Sequence, residues 1–272
     1  MKFFGDFFRA IGNCFKGFGL LFEKGLWPFI FIPLIVWLLM WIGTLYGFFI
    51  LADGLAEWMK GYFSFDSIPD AGHWLSFAKP FLVSKLGLVL GWILKFIFWF
   101  ISGTFIKYVM LILLSPVFAL LSEKAEEKLT GRSFPFSFSQ LLKDILRGVL
   151  ISLRNMFLEY LLMFICFLLT LFFPPLFFVT APFLLLVGWY FIGFSLIDYN
   201  CERHRLGVGE SARLIRNNKG YACGTGMVYS FFLAFGFLPL QIVGMMFGPS
   251  VAVIGGTMSF LQMKDTTSPT RP

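Results

Sequence analysis

Residues 27–51 run for 25 positions without a single charge. A bilayer's hydrocarbon core takes about 20 helical residues to cross, so this run sets the fold class: an all-α integral membrane protein. The rest of the chain agrees. Of its 272 residues 58% are hydrophobic, 39 are Phe and only 14% are charged, whereas soluble domains carry about 25% charged residues. Inside lipid every backbone N–H and C=O must find a partner within the protein, and helices meet that demand for runs of this length. One polytopic domain over residues 1–262 is expected, with residues 263–272 a polar, disordered tail.

Residues 1–23 place Phe4, Phe7, Phe8, Ile11, Phe15, Phe18 and Phe22 at spacings of three and four, with Lys2, Asp6, Arg9, Asn13, Lys16 and Glu23 between them. That is the pattern of an amphipathic helix lying in the membrane interface. It does not read as a cleavable signal peptide. Pro28 stands near the start of the first crossing, and Pro33, deeper, predicts a kink. Residues 52–80 read as a polar loop with four acids and two Lys. A second long helix is predicted from Pro80 or Phe81 to about Leu129, bent at Ser115-Pro116. Residues 122–155 are basic and helical in period, with a break at Gly131. Two apolar hairpins follow: 156–173 with 176–197 about Pro174-Pro175, and 221–238 with 240–261 about Pro239. Length leaves full crossing and partial penetration both open, and tight proline turns without charged outer loops favour partial penetration.

Lys and Arg number four in residues 1–26, six in 122–155, five in 198–220 and two in 262–272, against two in 52–80. The positive-inside rule then puts both termini in the cytoplasm and 52–80 outside. The net charge of +7 is explained by a cytoplasmic collar facing anionic lipid headgroups, with no nucleic-acid partner needed. Cys14, Cys166, Cys201 and Cys223 have no paired spacing, and His73 and His204 stand far apart, so reduced structural cysteines and no metal site are expected. No G-x-S-x-G, H-E-x-x-H or phosphate-loop string occurs, so neither an enzyme nor a bound cofactor is expected.

Lys85, Lys95 and Lys107 fall within an arc of about 120° on one face of the second long helix. The outer two can snorkel to opposite headgroup layers. Lys95 sits near the middle, where an ammonium is costly and marks either a route for anions or a buried pair, with Glu159 as the candidate partner. Helix starts at Pro174-Pro175, Pro182, Pro239 and Gly248-Pro249-Ser250 offer free N–H groups suited to an oxyanion, or are plain turns. Gly43/Gly47, Gly87/Gly91 and Gly244/Gly248 have the spacing of close helix contacts, within one subunit or between subunits.

Four stretches resemble one family, the CysZ sulfate permeases and their etoposide-induced-protein relatives. They are Gly25-Leu26 leading into Phe29-Ile-Phe-Ile-Pro33-Leu34; Ser115-Pro-Val-Phe-Ala-Leu-Leu-Ser-Glu-Lys-Ala-Glu-Glu-Lys-Leu-Thr-Gly131; Gln140-Leu-Leu-Lys-Asp-Ile-Leu-Arg147; and residues 198–257, with Arg-Asn-Asn-Lys-Gly and Ala-Val-Ile-Gly-Gly-Thr. The resemblance implies an inner-membrane protein that self-associates, combines long crossing helices with partly penetrating hairpins, and brings in sulfate for cysteine synthesis. It also implies an anion loop at Gly25-Leu26. Where the family has arginines next, this chain has Trp27-Pro28, neither of which holds sulfate bidentately. Lys24 supplies a point charge beside the loop. The resulting expectation is a CysZ-like transporter of sulfate or a similar oxyanion, with Lys24, Gly25 and Leu26 at the entrance and Lys95 inside. The competing expectation is a non-transporting scaffold or lipid-shaping protein of the same fold.

Overall fold

The computed structural model describes residues 2–23, 25–62, 105–132, 138–234 and 238–267. Its helices are α1 Lys2–Glu23, α2 Phe31–Tyr62, α3 Phe105–Leu113, α4 Ser115–Thr130, α5 Phe138–Phe172, α6 Phe177–Arg203, α7 Val208–Asn217, α8 Lys219–Leu233 and α9 Leu238–Thr267. There is no strand among the described residues, so the all-α expectation holds. Two compact units divide the chain, one of residues 1–37 with 108–272 and one of 38–107. The second unit's described part is helical, and Thr44 Oγ1 donates back to Met40 O at 2.8 Å there.

In the first unit α1, α8 and α9 form a tight bundle, and its sequence logic is small residues where backbones meet. A Cβ on Gly220 would run into Phe3 and Asp6, and one on Gly224 into Phe7 and Ala10. Farther along, Cys14, Phe15 and Phe18 share a cavity wall with Met227, Val228, Phe231 and Phe232. The two helices therefore advance in the same direction. α9 runs the other way: Asn13 Nδ2 donates to Ser259 Oγ and to Gln262 Oε1, each at 3.0 Å, Gly255 abuts Cys14, and Phe247 meets the rings of Phe18 and Phe22. α1 thus has three faces. Asp6, Ala10, Asn13, Cys14, Gly17 and Leu21 are buried in the bundle, Lys2, Arg9 and Lys16 are exposed, and Phe4, Phe8 and Phe15 stand 66%, 66% and 73% exposed. The phenylalanine face is free for lipid, as its pattern demands, but one flank of α1 docks on α8 and α9.

α6 crosses α8 through Gly193 and Gly226, where a Cβ would strike the backbones of Ala222 and Trp189. Of the glycine pairs the sequence brings forward, Gly244 and Gly248 pack on Phe232 within the chain, Gly43 and Gly47 face open space, and Gly87/Gly91 lies outside the described residues. Pro33 is the third residue of α2, in its first turn, where a proline is best tolerated. α2 also continues through residues 52–62, expected as loop; polarity alone does not stop a helix. The bend at Ser115-Pro116 is present, α3 and α4 meeting at 59°, and Gly131 ends α4 at φ 71° with its N–H on Glu127 O at 2.9 Å. α9 continues through Met263, fully buried, to Thr267.

Among the described residues four helices are long and apolar enough to cross a membrane: Trp27–Thr44, Ile145–Phe172, Pro174–Arg203 and Pro239–Asp265. α8 is not among them; at 1.5 Å per residue it is about 21 Å long, short of a core of about 30 Å. At the tip of the α5–α6 hairpin Phe172, Phe173, Phe177 and Phe178 are exposed, a surface suited to hydrocarbon.

Candidate functional site

The turn from α1 into α2 contains the residues expected at the anion entrance. Gly25 adopts φ 70°, its N–H points to Phe22 O at 3.5 Å, and the Leu26 N–H donates to Leu21 O at 3.0 Å. This is a Schellman cap, with glycine in the left-handed position and a buried leucine following it. Leu21 and Leu26 are both buried, as the cap's hydrophobic contact requires. Both N–H groups are committed to the cap. Trp27 is half exposed and starts a 3-10 turn through Ile30, and Ser250 Oγ donates to Phe29 O at 3.2 Å, tying the turn to α9. Lys24 and Lys95 lie outside the described residues.

At the basic end two ion-pair clusters join helices far apart in sequence. Glu126 on α4, fully buried, accepts from Arg203 Nε at 3.0 Å and contacts His204 Nε2 at 2.7 Å. Arg203 also donates to Asn200 Oδ1 at 2.6 Å and Ser122 Oγ at 3.1 Å, and Lys264 Nζ on α9 contacts His204 Nδ1 at 3.0 Å. Arg147 on α5 grips Asp198 on α6 with two bonds of 3.2 and 3.1 Å, and reaches Glu202 at 3.7 Å, Ser211 Oγ at 3.1 Å and Leu206 O. Arg147 and Arg203 are therefore structural ties, taken out of the expected lipid-facing collar, whereas Arg205, Arg213, Arg216 and Lys219 remain exposed. α6 ends in a second Schellman cap, with Arg205 at φ 58° in the glycine position and Leu206 N–H on Cys201 O at 3.0 Å.

Farther along α5, Tyr108 OH donates to Glu159 Oε2 at 2.6 Å. The expected Lys95–Glu159 pair falls outside the described residues on its Lys95 side. Arg154, also on α5, sits 4.9 Å over the Phe194 ring and donates Nη2 to Asn155 Oδ1 at 3.0 Å, and Asn155 Nδ2 in turn donates to Ser195 Oγ at 3.2 Å. The four cysteines are free and buried. Burial pushes the Cys14 thiol up to about 12.

The sequence alone assigns no structural role to Arg154, Glu126 or His204. Charge asymmetry counts Arg154 among the cytoplasmic cations, although it lies inside the apolar stretch Ile145–Phe172. His204 stands isolated in the sequence because its partners are 78 and 60 residues away.

Apolar helices of spanning length, tied at one end by buried ion pairs, define a polytopic helical membrane protein. A model of the family described as "Sulfate transporter CysZ/Etoposide-induced protein 2.4" matches residues 13–243, and the chain belongs to that family. It is similar to the Sulfate transporter CysZ of Pectobacterium atrosepticum, 27% identical over 261 residues, covering 95% of this chain and 86% of the relative. It is also similar to the Sulfate transporter CysZ of Pseudomonas fluorescens, 26% identical over 251 residues, covering 91% and 90%.

Proposed function

We propose that the chain is a CysZ-like transporter of inorganic oxyanions, with sulfate as substrate, in an inner (plasma) membrane, supplying sulfur for cysteine synthesis. The observation that carries this reading is the likeness to relatives named sulfate transporters over nine-tenths or more of the chain. In this reading both termini are cytoplasmic, exposed basic residues meet anionic lipids, and the protein works as a homo-oligomer. The Gly25-Leu26 cap shapes the entrance, Lys24 adds a point charge there, and Lys95 attracts the anion within the route. Proteoliposome uptake of labelled sulfate tests these roles: Lys95→Met and Lys24→Gln should lower flux in well-folded protein. Unchanged flux in either variant removes that residue from the route.

A second reading has one observation in its favour. Trp27-Pro28 stand after Gly25-Leu26, and neither side chain can fork onto sulfate. A scaffold of the same fold, acting on lipid through the phenylalanine face of α1, would give no flux in the same assay.

A further inference from the structure

Arg147 and Arg203 answer their charge with Asp198, Glu202 and Glu126. Arg154 does not. Among the described residues no carboxylate pairs with it; its contacts are the Asn155 amide oxygen and the Phe194 ring, and its Nε is shut from water with no acceptor. It lies nine residues into the stretch Ile145–Phe172, about 14 Å along the helix. A half-buried guanidinium in that position is expensive unless something anionic answers it. The chain has held the head in place without neutralising it: Phe194 underlies it, and Asn155 is itself fixed by Ser195.

A phenol lies on the same aromatic patch. The Tyr190 ring packs on Phe194 at 6.1 Å, the ring that Arg154 covers at 4.9 Å, and the Tyr190 hydroxyl has no hydrogen-bond partner among the described residues. A guanidinium without a carboxylate and a neighbouring phenol donor suit one kind of ligand, a tetrahedral oxyanion, because a planar fork matches two of its oxygens.

We propose that Arg154, with Tyr190, binds a tetrahedral oxyanion on the basic side of the membrane, as free sulfate or as the phosphate of an anionic lipid. This deepens the transport reading, resting on it only for sulfate as the free anion, and supplies an arginine at a place other than the α1–α2 turn. The test is equilibrium binding to purified full-length protein, with labelled sulfate in lipid-free detergent and, separately, native mass spectrometry of phosphatidylglycerol retained after delipidation and add-back.

Arg154→Gln should weaken one of the two by roughly 10- to 100-fold, the range for losing a charge-assisted contact. Arg154→Lys should weaken it less, and Tyr190→Phe should weaken it measurably. Loss in the sulfate arm identifies the free anion, and loss in the lipid arm identifies the headgroup. If Arg154→Gln misfolds, the Arg154→Lys and Tyr190→Phe variants decide. Binding unchanged in both arms across the folded variants, or a parent protein that binds neither ligand, overturns the proposal. Binding that depends on Arg154 in a protein with no sulfate flux would leave this site standing and remove the transport reading.

Discussion

Replacing Glu126 by Gln keeps the side chain's volume and removes the charge that answers Arg203. Glu126 is fully buried and the Arg203 side chain is 9% exposed, so water cannot rescue the pair as it would at a surface. Removing one partner of such a pair costs about 3–5 kcal/mol. Arg203 keeps its bonds to Asn200 and Ser122, and a glutamine oxygen can still accept one bond, so the low end, about 3 kcal/mol, applies. For a chain of this size that is a fall of about 6–10 °C in the unfolding midpoint. Thermal unfolding in detergent, followed by loss of the monodisperse peak, measures it. Adding Arg203→Met should recover part of the loss, since both charges are then gone. A Glu126→Gln protein as stable as its parent would refute the view that this cluster ties α4 to α6.

The two left-handed caps should respond with opposite signs. Gly25→Ala should cost about 1–2 kcal/mol and Arg205→Gly should gain up to about 1 kcal/mol, and unfolding midpoints moving in the same direction would contradict the cap assignment. Gly224→Leu should prise α1 from α8 and expose residues 1–20 to protease; a protected α1 in that variant would refute the bundle. Cys14 should resist alkylation in folded protein at pH 8, its thiolate being roughly one part in 10,000 for a pKa of about 12, and rapid labelling before unfolding would contradict its burial. A nitroxide at position 173 should collide with oxygen and not with a water-soluble nickel complex if the α5–α6 tip stays in hydrocarbon, and nickel access would put the tip in the headgroup layer.

How far the sequence reveals this structure depends on the range of the forces involved. The apolar runs, the bend at Ser115-Pro116 and the stop at Gly131 are local and can be read directly. Pro33 takes its meaning from where α2 begins: it falls in the first turn of that helix, a boundary that the uncharged run 27–51 does not mark. The docked flank of α1 is not a local feature: in the sequence Asp6 and Asn13 read as a water-facing edge, and their burial depends on Gly220 and Ser259 more than 200 residues away. Glu126 and His204 stand in separate basic strings, and only the fold joins them. At the candidate site, Gly25 and Leu26 stood out because a Schellman cap has a short sequence signature, so their prominence has a structural cause whatever else they do. Arg154 closes the basic segment 122–155 in the sequence, and only the helix that carries apolar residues back to Ile145 places it inside an apolar stretch.

The most direct test of the central claim is influx of labelled sulfate into liposomes containing the purified parent protein, against protein-free liposomes of the same lipid. The account requires protein-dependent uptake that excess unlabelled sulfate competes away and equal ionic strength of chloride does not. Uptake indistinguishable from protein-free liposomes, with the protein shown to be folded and inserted, would contradict transport and leave the scaffold reading in its place.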